Sequence, residues 1–331
     1  MEIQDVLPQD SIPSIDDPSF GPSYFGDDDD DMLVVGSDPP RAYPIRILSY
    51  HEIVNDVIDG DLQSGTVTSG SPDATDEQLP IAVTWCPICA SGVVYVRTAG
   101  GQVLTFGTSG KLADDALVMY DHETESEWKQ PLGGAITGPL AGETLPVVPA
   151  SMMSWQQFRD AYPDGIVLQP IYGGERDPRD GEPGSAYDMT PYDRYASKAE
   201  FGLRAMRGEG PERTWNRDDI SAKTTVLGLV HDGDAVGYPL SVVQANGGVV
   251  SDSVGGRRVL IVSTDGEMHA FEHPGAQFEF RDATLYGDDT TWNPTTGESN
   301  DGRQLTRLPA RRLYAFAWQD DHGRDSFYGL D

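Results

Sequence analysis

The stretch "IAVTWCPICASGVVY" (residues 81–95) sets two runs of strand-forming residues on either side of a Cys-Pro-Ile-Cys turn. β-Branched and aromatic side chains fit a pleated, packed surface, and Pro87 stiffens the turn, so the stretch predicts strand, turn, strand. Working outward, "MLVVGS" (32–37), "QVLTFGT" (102–108) and "ALVMYD" (116–121) read as further strands, separated by Gly, Ser and Asp turn signals. "FGTSGKL" (106–112) has glycines and hydroxyls suited to an anion, but it lacks the Walker spacing and reads as a strand followed by a bend. "RAYPIRILSYHEIVNDVIDG" (41–60) begins as a strand and then turns helical, with Ile45, Leu48, Ile53 and Val54 on one face. "SMMSWQQFRDAYPDG" (151–165) predicts a helix with Ser151 as N-cap, Met152, Trp155 and Phe158 at helical spacing, and Pro163 and Gly165 past its end. Together these elements predict an α+β protein, predominantly antiparallel β with a few packed helices.

The same order of signals recurs. "AYPIRILSYHEIVNDVIDG" (42–60) is echoed by "GYPLSVVQANGGVVSDSVGG" (237–256), and each is followed by a strand pair, "VLIVST" and "MHAFE" in the second case. "MYDHETES" (119–126) is matched by "TWNPTTGE" (291–298), and "LPVVPASMMSWQQF" (145–158) by "LTRLPARRLYAFAW" (305–318). The chain therefore divides into an acidic Pro/Asp-rich arm (1–32), a first repeat (33–170), a Gly-, Pro- and charge-rich connection (171–224) and a second, degenerate repeat (225–331). The second repeat has Asn246 near the place of His51, Gly247 near that of Glu52, and no cysteine. Residues peculiar to the first repeat are the functional candidates.

Acidic residues outnumber basic ones 54 to 23, giving a net charge of -31, and only four of the basic residues are lysine. Acid spread along the whole chain with scarce lysine points to adaptation to molar salt, where the screening length shrinks to about 3 Å. With no basic stripe to neutralise phosphates, nucleic acid is not an expected partner. No apolar run is long enough for a membrane span and the amino terminus has no apolar signal core, so the expected location is cytoplasmic. There, a Cys-x-x-Cys is more often a metal or redox site than a structural disulfide.

Cys86 and Cys89 are the only cysteines. Three readings stand: a metal site that recruits His51 and is filled by zinc or copper, a dithiol–disulfide couple, or two buried thiols without chemistry. His51 is a ligand, a general base or a hydrogen-bonded core histidine, and Glu52 either orients it or faces solvent. Asn55 and Asp56 read as a helix end or turn. In "MYDHETESEW", Asp121 stands either at a pocket rim or at the start of a hairpin turn, with His122 a more distant metal ligand.

The segments "RAYPIRILSYHEIVND", "VTWCPICASGVV", "FGTSGKLADDALVMYDHETESEW" and "GPLAGETLPVVPASMMSWQQF" resemble domain-of-unknown-function family 3179, an uncharacterised family common in haloarchaea and found in bacteria. The resemblance is dense from about residue 32 to 170 and implies no established reaction. This chain differs at Tyr50, where the family generally has Trp, and at Ala90, where Gly or Asn usually follows the second cysteine.

The expected function is that of an intracellular metal-binding or thiol-redox protein centred on Cys86, Cys89 and His51, its partner a small molecule or protein; the rival is a noncatalytic binding or scaffold protein. The charge makes one prediction directly: the thermal unfolding midpoint rises as KCl is raised from about 0.1 M to about 2 M, because screening relieves carboxylate repulsion. A midpoint that stays level or falls would remove the salt-adaptation reading.

Overall fold

The helix expected to run through residues 45–54 is cut short at His51. The structure, a computed structural model, describes residues 1–59, 78–171, 187 and 192–330; the expected 171–224 connection thus lies partly outside the described residues. Strands β1 (Asp31–Val35) and β2 (Arg41–Pro44) pair antiparallel and lead into α1 (Ile45–His51). Glu52 closes the helix in a left-handed conformation, φ 59°, while its N–H still reaches the Leu48 carbonyl at 2.7 Å. The chain then leaves as β3 (Ile53–Asp59), so Ile53 and Val54 belong to a strand and not to the helix face. Their β-branched side chains point to opposite sides of the sheet and enter two different cores.

Asn55 and Asp56, expected at a helix end or turn, are buried within β3. The Asn55 amide donates to the Phe106 carbonyl (2.9 Å) and to Asp16 (2.7 Å), and its oxygen accepts from the Phe106 N–H (3.0 Å). Asp56 accepts from Arg41 and from the Tyr43 hydroxyl, both at 2.6 Å.

The 81–95 stretch forms the predicted hairpin. Strand β4 (Gln78–Cys86) pairs with β3 on one side and with β5 (Ser91–Val96) on the other, the turn closing at Cys86 opposite Ser91. Next come β6 (Phe106–Ala113), β7 (Ala116–Asp121) and β8 (Glu127–Lys129), paired in that order. "FGTSGKL" is one strand with a register shift between Thr108 and Lys111 in place of a terminal bend. Strand β9 (Ala150–Ser154) runs into α2 (Trp155–Ala161). The N-cap is Ser154 and not Ser151, because Ser154 and Gln157 form a reciprocal capping box; Met152 is therefore a strand residue.

Two short helices, α3 (Asp193–Ala196) and α4 (Gly202–Arg207), precede the second half. That half contains β10 (Thr225–His231), β11 (Asp234–Pro239), α5 (Leu240–Ala245), β12 (Val249–Val254), β13 (Arg257–Thr264) and β14 (Glu267–Glu272). It ends with β15 (Phe278–Arg281), β16 (Thr284–Gly287), β17 (Thr290–Trp292), β18 (Arg311–Tyr314) and α6 (Ala315–His322). Pairing runs β9-β1-β2, β3-β4-β5 and β6-β7-β8 in the first half, and β18-β10-β11, β12-β13-β14 and β15-β16-β17 in the second. The protein is mostly antiparallel β with few helices.

The halves are joined edge to edge: β18 pairs with β5 at Arg312 opposite Gly92, which makes a sheet in the order β11-β10-β18-β5-β4-β3. This sheet is covered on both faces. Ala82, Cys86, Val93 and Tyr95 enter one core with Phe106, Trp128, Phe316 and Trp318; Ile81, Val83, Trp85 and Val94 enter the other with Tyr43, Leu48 and Met152. Burial on both sides explains why β4 and β5 read as unbroken apolar runs. The acidic arm packs along this body, Ile3–Asp5 pairing with β6 and Ile15 bridging to Val54. Among the described residues no helix is long and apolar enough to cross a membrane.

Asn55 is the polar staple between β3 and β6, and truncating it leaves the Phe106 N–H buried without a partner. Asn55→Ala is expected to cost about 1–3 kcal/mol in chemical denaturation; a loss below about 0.5 kcal/mol would show that the staple is dispensable.

Candidate dithiol site

Cys86 is the last residue of β4 and Cys89 lies in the turn; both are buried free thiols. The Cys86 sulfur accepts from the Leu117 N–H at 3.4 Å, and the Cys89 sulfur lies 3.9 Å from the Cys86 carbonyl oxygen. Three consecutive carbonyls of the turn are held from outside the hairpin. The Tyr195 hydroxyl, on α3, donates to Ile88 O (2.8 Å); the Tyr314 N–H donates to Cys89 O (2.8 Å); Arg312 Nη1 donates to Ala90 O (3.1 Å). Ala90 itself sits at φ 46°, a conformation costly for a residue with a Cβ, and the carbonyl clamps hold it there. Arg312 is in turn fixed by Glu267 across β14, at 2.9 Å.

The two thiols differ. Burial by itself pushes the Cys86 thiol up, but hydrogen bonds from the Cys89 thiol and from the backbone N–H groups of Cys89, Leu117 and Ile88 outweigh it and bring Cys86 below the ordinary thiol range. Cys89 is pushed well above that range, first by burial, then by its hydrogen bond to Cys86 and the Cys86 charge.

Glu52 completes this group, and strand register puts it there. Ile53 lies opposite Thr84, so the next residue back, Glu52, receives the Trp85 N–H on its carbonyl (2.8 Å), beside Cys86. Its carboxyl is pushed up to about 8 by burial and by the Cys86 charge, with Arg207 opposing. At neutral pH Glu52 is a buried, mostly protonated acid next to a thiol whose pKa is lowered from the ordinary range.

His51 and Glu52 diverge although adjacent. His51 is buried with Nδ1 at 2.8 Å from Pro13 O and Nε2 at 2.9 Å from the Tyr187 hydroxyl, and burial lowers it to about 4. Both ring nitrogens are engaged away from the thiols. Asp121 is also buried; it accepts from the Thr124 N–H (2.6 Å) and from Trp128 Nε1 (2.9 Å), and so anchors the β7–β8 hairpin. His122 packs its ring on Tyr120. Among the described residues, a group of three or more His, Cys, Asp or Glu ligand atoms lying within 4.8 Å of one another occurs at Asp27, Asp29 and Asp30; Cys86, Cys89 and His51 do not form one.

Beside the turn lies a cleft of about 430 Å³. Trp85, Pro87 and Ala90 line it from the hairpin, with Tyr187, Tyr192 and Tyr314 from elsewhere in the chain. Tyr192 links the cleft to the thiols: burial, then the charges of Glu52 and Cys86, push its phenol above the usual range. Sequence reasoning missed these tyrosines because they sit in the polar connection and the cysteine-free half, where no local pattern marks them.

The family model described as "Protein of unknown function (DUF3179)" matches residues 9–68 and 73–325. No curated protein and no solved structure matches the chain.

The Glu52 carboxyl makes stability depend on pH with a definite sign. The folded chain keeps its proton up to about 8 while the unfolded chain releases it near the ordinary 4.5, so the folded state binds the extra proton in between and stability falls as pH rises through that window. His51 has the opposite sign, its contribution being lost as pH falls from the ordinary 6.5 towards about 4. Relative to the parent, Glu52→Gln should gain stability from about pH 5 to about pH 8, by up to about 4 kcal/mol at 1.4 kcal/mol per pKa unit. A urea-derived difference that is constant with pH would show that Glu52 is not held protonated.

Proposed function

The chain belongs to the DUF3179 family, and for this member we propose that Cys86 and Cys89 form a thiol–disulfide redox couple with Glu52 as its proton holder. The observation that carries this reading is the geometry of the two thiols: the Cys86 sulfur accepts the Leu117 N–H at 3.4 Å and, with the donors around it, is lowered from the ordinary thiol range, while burial and Cys86 raise Cys89. A low-pKa thiol paired with a high-pKa one suits attack followed by resolution.

The Cys86 thiolate attacks one sulfur of a substrate disulfide, forming a mixed disulfide and releasing the other substrate sulfur as a thiolate, which takes up a proton. Cys89, on losing its proton, attacks the Cys86 sulfur, breaks the mixed disulfide and releases the second substrate thiol. Two electrons and two protons pass to the substrate, and the Cys86–Cys89 disulfide is left. Glu52 stands where it can take and return a proton beside Cys86, since its carboxyl changes state near neutral pH. A metal centre on the same thiols is less favoured, because both His51 nitrogens are engaged elsewhere and, among the described residues, the thiols join no third ligand atom within 4.8 Å.

The shared pairing order of the two halves supports a duplicated unit whose second copy lost the thiols. The acidic composition supports a salt-adapted protein, and a dithiol couple suits the reducing cytoplasm.

Incubation with a small disulfide such as hydroxyethyl disulfide should remove two hydrogens from the folded parent, reversibly with dithiothreitol. Cys89→Ser should instead stop at a mixed disulfide on Cys86, and Cys86→Ser should form neither product. Thiols that stay reduced until denaturant is added would refute the couple and leave a packing role.

A further inference from the structure

The cleft beside the dithiol turn presents few groups with unused bonding capacity. Arg312 is committed to Glu267 and to Ala90 O. Arg46 pairs with Asp30 (2.9 Å) and Asp27 (3.5 Å), and Asp30 also accepts from the Tyr24 hydroxyl. The groups with capacity left include hydroxyls of Ser49, Tyr192 and Tyr314, a carboxylate, an indole N–H and aromatic surface. The Asp31 carboxylate, at the start of β1, makes no hydrogen bond or ion pair among the described residues. Trp85 is 7% exposed and its Nε1–H is buried with no partner among the described residues. A buried N–H left unpaired costs on the order of 1–3 kcal/mol, which a ligand oxygen would recover. Around these groups stand the rings of Trp85, Tyr187, Tyr192 and Tyr314.

Aromatic faces with a neighbouring carboxylate attract a cation that is weakly hydrated enough to leave water. Arg312 acts on Asp31 as well as on Glu267, but with Asp27 and Asp30 beside Arg46 the carboxylates outnumber the two guanidiniums and the cleft stays net negative. An inorganic cation would leave the indole N–H unsatisfied. We propose that this cleft binds a small organic ammonium compound carrying an oxygen acceptor, its cationic head against Asp31 and the tyrosine rings and its oxygen on Trp85 Nε1. The volume of about 430 Å³ suits a small molecule and not a polymer. This inference involves no thiol chemistry and stands or falls apart from the redox reading.

The test is calorimetric titration of the fully reduced, full-length protein in KCl with choline, tetramethylammonium and acetate as probes. Saturable choline binding is expected, tighter than that of tetramethylammonium, which has no oxygen. Asp31→Asn, which keeps the side-chain shape, should weaken choline about tenfold or more, with an unchanged urea midpoint confirming that the fold is kept. Trp85→Phe should erase the advantage of choline over tetramethylammonium. Absence of saturable choline binding, an unchanged affinity in Asp31→Asn, or acetate binding more tightly than either cation would each overturn the proposal.

Discussion

The register of β3 against β4 is the constraint on which the rest depends. With Ile53 opposite Thr84, the alternation of β4 sends Ala82 and Cys86 into one core and Val83 and Trp85 into the other. A slip of one residue would exchange the two sets, placing Trp85 among the residues that now surround the thiols. The same register carries Glu52 to Trp85 and so to Cys86. Asn55 reinforces it by tying β3 to Phe106, and Asp56 by tying it to Arg41 and Tyr43.

Around that sheet the hairpin turn is held in a form it would not keep alone. Ala90 and Glu52 both occupy left-handed backbone, one at each end of the site. Each is held by a hydrogen bond on its carbonyl, from Arg312 and from Trp85 respectively. The turn is thus built by the first half of the chain and braced by the second, so the cysteine-free half matters to a site whose thiols it does not contain.

Buried charge is concentrated in the same region. Lys129, one of the four lysines, is buried and pairs with Asp321 on α6 at 2.5 Å and with Asp114 at 3.0 Å. Removing one partner of such a pair leaves an uncompensated charge, so these contacts lock α6 against the β7–β8 hairpin even where their net contribution to stability is small. An interior so polar needs each group in place.

The sequence by itself determined the local elements: the strand–turn–strand around the cysteines, the β7–β8 hairpin, the antiparallel character and the acidic balance. These follow from side-chain period and turn chemistry, which are local. It misjudged where α1 ends, because the break is a single left-handed residue, Glu52, that helical spacing cannot reveal. It grouped His51 with the cysteines because both lie in distinctive motifs of the first repeat, yet at Glu52 the chain turns so that His51 and Glu52 reach different surroundings. Only the tertiary structure decided that Glu52 and not His51 meets Cys86, and that Tyr195, Arg312 and Tyr314 brace the turn. The first contact spans 34 residues and the three braces more than a hundred, and all are set by strand register and sheet order, neither of which a window of sequence contains.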